Sequence, residues 1–155
     1  KKYLETLKKL LKKKNYDLIV TEFTEFYNSR IIKKNNLPLK FNINDVYVYN
    51  PGILPSNTAI KKATFIKLKG YNTILPNSSD KIILIDIIKK NLSYFFLKKN
   101  LVLRRIHKNQ WSNNYYNMLK NNIKFYNYYK SYFIFIVKIR FLIKFLTIYK
   151  KFLTK

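Results

Sequence analysis

Few residues that make or break bonds occur in this sequence, and none falls at a spacing that lets several act together. There is no cysteine, so neither a thiolate nucleophile nor a disulfide framework is available. One histidine, His107, lies among Arg104, Arg105 and Lys108. A general base needs an acceptor that orients it, and none is near in sequence, so His107 reads as a phosphate-facing residue. One histidine without cysteine leaves no zinc site of the usual ligands. Phosphate-cradling loops need clustered glycines, and Gly52 and Gly70 stand 18 positions apart. Carboxylate pairs could come only from Glu22 with Glu25 or from Asp80 with Asp86. The first of these reads as an ordinary solvated face among lysines. The chain is therefore expected to be no enzyme, to take no small-molecule substrate and to hold no metal or other cofactor.

Positive charge is what the chain has in abundance. Its 155 residues carry 32 Lys and Arg against 7 Asp and Glu, a formal +25. Such self-repulsion stabilises nothing in an isolated domain. A polyanion relieves it, and nucleic acid does so with release of condensed counterions. An anionic membrane surface is the other candidate. The charge is unevenly placed. Residues up to Asp86 hold 16 basic and all 7 acidic side chains, net +9, while the rest holds 16 basic and none acidic, net +16. In that second half Lys89-Lys90, Lys98-Lys99 and Arg104-Arg105 recur as pairs between apolar residues, followed by His107 and Lys108. Tyr94, Phe95, Phe96, Trp111, Tyr115 and Tyr116 interleave with them, and aromatic faces can stack on unpaired bases while cations hold phosphates. The competing reading for any one aromatic is simple core packing.

The residue bias also speaks of the gene. Only four basic residues are arginine (Arg30, Arg104, Arg105, Arg140), and Ala and Gly nearly vanish beside Asn, Ile, Tyr, Phe and Lys. Favoured codons are A/T-rich and avoided ones G/C-rich, as in organelles and some reduced genomes. The N-terminus has no apolar core segment, so no secretory signal is expected.

Three segments are expected. Residues 1–43 form an N-terminal basic extension, helical to about residue 28 from the spacing of Tyr3, Leu4, Leu7, Leu10, Leu11 and Leu18. Residues 44–106 contain four short strands, at 46–49, 63–69, 71–75 and 82–88, with turns at Asn50-Pro51-Gly52, Gly70 and 76–80. They suggest a small antiparallel barrel or sheet. Residues 107–155 form a basic, aromatic-rich helix, one or two in number, capped near Ser112. Tyr132 to Val137 is apolar all round, so it is expected to be buried on every side. A membrane span needs roughly 20 apolar residues, and Lys130, Lys138, Arg140 and Lys144 interrupt every such window, so none is expected.

Residues 46–69, VYVYNPGILPSNTAIKKATFIKLK, resemble the ribosomal protein S-twelve family of the small subunit. Val48-Tyr49 falls on its V-Y, Asn57-Thr58-Ala59-Ile60-Lys61-Lys62 on its N-S-A-L-R-K, and Phe65-Ile66-Lys67-Leu68 on its R-V-R-L. Ile82 to Ile85 is similar to V-V-L-I, and Lys90-Asn91-Leu92 to K-D-L. Where the family has K-K-P, this chain has Leu54-Pro55-Ser56. The resemblance implies an OB-like five-stranded barrel that binds ribosomal RNA. It also implies that Asn57 and Thr58 touch the mRNA–tRNA helix, with Lys61 and Lys62 anchoring phosphates. Lys67 and Lys69 complete the candidate RNA-binding set, with Lys89, Lys90, Lys98, Lys99, Arg104, Arg105, His107 and Lys108. Taken together, the fold class is mainly β with helical extensions. The expected function is a structural constituent of a mitochondrial ribosome small subunit, in the matrix among neighbouring ribosomal proteins. Two alternatives stand beside it. One is another organelle-encoded ribosomal protein of unrelated fold, and the other is a basic accessory subunit of a respiratory membrane complex.

Overall fold

A computed structural model describes residues 2–38 and 40–154. Helix α1 (Lys2–Lys13) buries Leu7 and turns its lysines outward. The helix does not run on to residue 28. From Leu18 the chain is rich in β-branched and aromatic residues, which pack well on a pleated surface, and it forms strand β1 (Leu18–Tyr27). Asn28 and Ser29, at φ 44° and 64°, make a two-residue hairpin turn. Positive φ at both central positions matches the twist of the flanking strands. Strand β2 (Arg30–Asn35) returns antiparallel.

None of the four expected strands forms. Residues 43–48 are helix α2 (Ile43–Val48), its N-cap Asn42 accepting from the Asn44 amide. Residues 62–67 are helix α3 (Lys62–Lys67), preceded by the short strand β3 (Thr58–Ile60). Residues 71–75 are irregular, and 79–89 are helix α4 (Ser79–Lys89). A short apolar run does not separate a buried helix from a buried strand. In α2 and α4 the runs are apolar because those helices are enclosed, whereas α3 leaves Ile66 exposed. Ile82, Ile83, Leu84, Ile85 and Ile87 of α4 are all buried. Gly70, expected to break a strand, closes helix α3 instead. Gly70 N–H donates to Phe65 C=O and Lys69 N–H to Ile66 C=O, with Lys69 at φ 62°. Leu92 and Asn91 end α4 the same way, on Ile87 and Ile88. Both are left-handed C-caps that satisfy the last carbonyls.

The sheet is built on β1. Strand β4 (Tyr94–Arg105) runs parallel to it along one edge, from Leu18↔Tyr94 to Phe26↔Arg105. Strands β3 and β2 share the other edge, β3 against Leu18–Val20 and β2 against Phe23–Tyr27. The sheet is mixed and open, not closed into a barrel, and helices outweigh strands in the chain as a whole. A parallel pair needs a long crossover, and residues 28–93 supply it with α2, α3 and α4. Leu18, Val20 and Phe96 face the main core with α2, α4 and the C-terminal helices. On the other face α1 lies against β4, and Tyr16 stacks on Phe95 at 5.0 Å. Residues 18–41, expected within an extension, thus supply the central strand and add Leu37 and Phe41 to the core.

The C-terminal region holds two helices, α5 (Tyr115–Tyr129) and α6 (Phe135–Leu153), packed on each other. Asn114, not Ser112, is the N-cap, accepting from Asn117 N–H. A 3-10 turn at Lys130–Tyr132 separates them. Only Phe133 and Val137 of the Tyr132 to Val137 segment are buried; Phe135 is 75% exposed and Tyr132, Ile134 and Ile136 also face outward. The chain does not cover this segment on all sides. Among the described residues no helix is long and apolar enough to cross a membrane.

Candidate nucleic-acid interface

The pairing of β1 with β4 slips in the middle. Thr21 faces Leu97, but the next residue, Glu22, faces Asn100. Lys98 and Lys99 are therefore extruded as a bulge, and both are exposed. Bulges re-aim side chains away from a sheet, and Asn100 ties this one to two buried polar residues of β1, Thr24 and Glu22. Thr24 Oγ1 donates to Asn100 Oδ1 at 3.0 Å, and Asn100 Nδ2 donates to Glu22 Oε2 at 3.4 Å. Glu22, only 8% exposed, also accepts from Leu37 N–H.

Beyond the bulge the sheet carries basic groups on both faces. Lys33, Glu25 and Arg104 form one row across three strands, with Arg104 Nη1 donating to Glu25 Oε1 at 2.7 Å. On the opposite face Lys34, Thr24 and Leu103 form one row, and Ile31, Phe26 and Arg105 the next. The Arg105 guanidinium lies 5.6 Å from the Phe26 ring centre. Ile31 and Leu103 are 66% and 71% exposed. A surface of guanidinium, ammonium and bare aliphatic groups on a rigid sheet can hold phosphates and contact base or sugar faces at once.

The expected site residues spread along β1, whose two ends are about 30 Å apart at the usual rise per strand residue. Lys98 and Lys99 stand beside its middle, and Arg104, Arg105, His107 and Lys108 are at and beyond the far end. Lys61, Lys62, Lys67 and Lys69 are at the near end, exposed around α3, with Lys89 and Lys90 closing α4. Asp17 pins that near end. Its carboxylate accepts from Thr64 Oγ1 at 2.6 Å and from Ser93 Oγ at 2.7 Å. These bonds, that from Thr64 foremost, hold its carboxyl below the usual carboxylate range.

Four of the expected contacts are turned to internal use. Asn57 is fully buried. Its Nδ2 donates to Thr21 O at 2.7 Å and Gly52 O at 2.9 Å, and its Oδ1 accepts from Leu54 N–H at 2.8 Å. An amide so used has nothing left for an external RNA. Thr58 Oγ1 donates to Leu54 O at 2.8 Å. The Lys89 ammonium sits 3.3 Å from the Tyr132 ring centre, and Arg104 is held by Glu25. Among the aromatic candidates, Phe96 packs edge-on to Phe41 at 4.1 Å and Phe95 on Tyr16. Tyr116 is 59% exposed. The side chain of Trp111 lies outside the described residues.

Sequence reasoning missed Arg30, Lys33 and Lys34, which β2 brings beside the far-end cluster. The signal was Asn28-Ser29 between two aromatic or β-branched runs, a hairpin turn without the usual glycine. It also missed two lysines turned inward, Lys81 buried and Lys144 half-buried. Lys81 Nζ donates to Tyr47 O at 3.1 Å and lies over the Phe125 ring, and burial pushes its pKa well down. Lys144 Nζ donates to Val48 O and Asn122 Oδ1, and burial lowers its pKa to about 8. Both ammonium groups meet carbonyls at the C-terminal end of α2, where a cation is favoured. Among the described residues no three metal-binding side chains converge.

Compared with models of known protein families the chain matches none, and it matches no curated protein.

Proposed function

We propose that the chain is an RNA-binding structural constituent of an organellar ribonucleoprotein, with the small subunit of a mitochondrial ribosome as its place of work. The observation that carries this reading is the bulged Lys98-Lys99 pair beside Arg30, Lys33, Lys34, Arg105 and Lys108. They form the cationic part of the sheet, where Glu25 is engaged by Arg104 on one face and Glu22, beside the bulge, is buried. The complete absence of acidic residues after Asp86 and the A/T-rich residue bias support the organellar setting.

Of the two ribosomal readings, an organelle-encoded protein with a fold other than the S-twelve barrel has the better support. The segments aligned with that family's strands, Val48-Tyr49, Phe65 to Leu68 and Ile82 to Ile85, lie largely in helices here. A decoding role for Asn57 would require its amide to leave Thr21, Gly52 and Leu54. Binding of the purified chain to small-subunit ribosomal RNA, measured across a salt series, tests the reading. The affinity should fall steeply as salt rises, and binding indifferent to salt would overturn it.

One observation favours the respiratory-complex alternative. Helix α6 turns Phe135, Ile139, Leu142, Leu146 and Leu153 outward, with lysines beside them, as an interfacial helix does. Sedimentation separates the two. Co-migration with ribosomal particles supports the first reading, and retention on membranes after a salt wash supports the second.

A further inference from the structure

We propose that a cavity just beyond β4 receives one unstacked base of a bound RNA strand, an inference that rests on the RNA-binding reading above. The cavity, about 620 Å³, opens between the segment that follows His107 and the last turns of α6. Its position is fixed by the end of the basic strand. Gln110 Nε2 donates to Arg105 O at 3.0 Å, and Asn113 Nδ2 donates to the carbonyls of His107 and Lys108. Those bonds use the amide N–H groups and leave both side-chain carbonyl oxygens as acceptors. Asn114 is the converse case: its Oδ1 caps Asn117 N–H, and its NH₂ remains a donor. The side chains of Asn109 and Asn117, also on the wall, make no hydrogen bond among the described residues. Carboxamides offering both donors and acceptors are the groups that pair with the edges of bases.

Two rings complete the site. Tyr116 and Phe152 stand 6.4 Å apart between ring centres, tilted by 40°, and are 59% and 43% exposed. Either presents a face on which a base can stack. Lys108 stands at the rim, where the phosphate of the same nucleotide would lie. No acidic side chain is among the residues that line the wall, so none of them repels an anion or recruits a cation. A planar, edge-polar ring that carries a phosphate fits this wall, and a strand running along Lys98, Lys99 and Arg105 would deliver it.

The test compares a short single-stranded RNA with an abasic ribose-phosphate chain of equal length and charge, by fluorescence anisotropy on the full chain. RNA should bind on the order of tenfold tighter than the abasic chain, as one stacked base contributes. Tyr116→Ala with Asn117→Ala should bring RNA affinity down to that of the abasic chain and leave abasic affinity unchanged. Phe152→Ala, on the exposed last turns of α6, should cause a several-fold loss by itself, so a misfolded first variant does not end the test. Lys98→Gln with Lys99→Gln should weaken both ligands alike. Equal wild-type affinity for the two chains, falling with salt, would overturn the base site and leave RNA binding intact. Negligible affinity for both would overturn the functional reading itself. Displacement of the RNA by a free mononucleotide at comparable concentration would overturn the assignment of the base to a strand.

Discussion

The side-chain amide of Asn57 donates to the backbone carbonyl of Thr21 at 2.7 Å, tying the turn before β3 to the middle of β1. The same amide spans Gly52 and Leu54, so one buried side chain closes the loop that follows α2. Gly52 stands at φ 95° with the Asn35 side chain where a Cβ would go, which leaves the loop little room to rearrange. Asn57→Ala would strand the Thr21 carbonyl and the Leu54 amide in the interior. Unsatisfied buried groups cost about 1–3 kcal/mol each. A loss on the order of 3 kcal/mol in a denaturant melt is expected, with RNA affinity of the folded fraction unchanged. A variant of wild-type stability with weakened RNA binding would return Asn57 to the surface.

Phosphate contact by the bulge makes a separate prediction. Each ammonium that neutralises a phosphate of single-stranded RNA contributes roughly 0.7 to the slope of log affinity against log salt. Lys98→Gln with Lys99→Gln should lower that slope by roughly 1.4 and weaken binding across all sequences alike. Arg104→Gln should change it less, since Glu25 already holds that guanidinium at 2.7 Å. A slope unchanged by the double substitution would remove the bulge from the interface.

How much of this was legible depends on what encloses each segment. The helical spacing of residues 3–11 and the pattern beyond Ser112 gave true helices, because each has one side against the fold and another outward. Val46-Tyr47-Val48-Tyr49 alternates two residue types and so reads as a strand. In α2, however, three successive residues, Val46, Tyr47 and Val48, are buried, because α4 and α6 both pack on that short helix. Alternation carries no signal when an element is covered on several sides. At the site, the charge pairs on β4 were visible in the sequence, while their neighbours on β2 depended on a hairpin whose turn lacks glycine. Asn57 misled for a different reason: a polar side chain was read as an outward one, whereas its three strong bonds are all internal.

Lys144 and Tyr47 set the pH response. The folded chain releases the Lys144 proton at about pH 8, against an ordinary value of 10.5. Between those values the unfolded chain holds more protons, so stability rises with pH. Lys81, also pushed down by burial, acts in the same direction. Above the ordinary tyrosine value of 10.0 the sign reverses. Unfolded tyrosines ionise there, while burial holds Tyr47 up to about 12 and raises Tyr129 as well. Stability should therefore climb from pH 8, by on the order of 2 kcal/mol, and pass its maximum near pH 10. Lys144→Met should flatten that climb to the part due to Lys81. A Met variant with the wild-type slope would show that Lys144 does not titrate in the window.

Ile136 and Val137 are neighbours on α6 with opposite surroundings: Ile136 is 58% exposed and Val137 fully buried. Val137 packs in the main core with Phe133 and Phe141. Ile136 belongs to the outward apolar side with Ile139 and Ile143, which are 44% and 57% exposed. An aspartate at 137 would bury an unpaired charge, a substitution in the class that costs more than about 4 kcal/mol, and the isolated chain should unfold. An aspartate at 136 meets water and should shift stability by no more than about 0.5 kcal/mol. Inside a particle the two should converge. A helix apolar on both its inner and outer sides is normally covered on both, so Ile136→Asp should fold normally and yet fail to enter the ribonucleoprotein. Thermal melts of the free chain and sedimentation of particles from cells expressing each variant measure the two halves. Efficient incorporation of Ile136→Asp would mean that the outward side of α6 stays in contact with water in the assembled state.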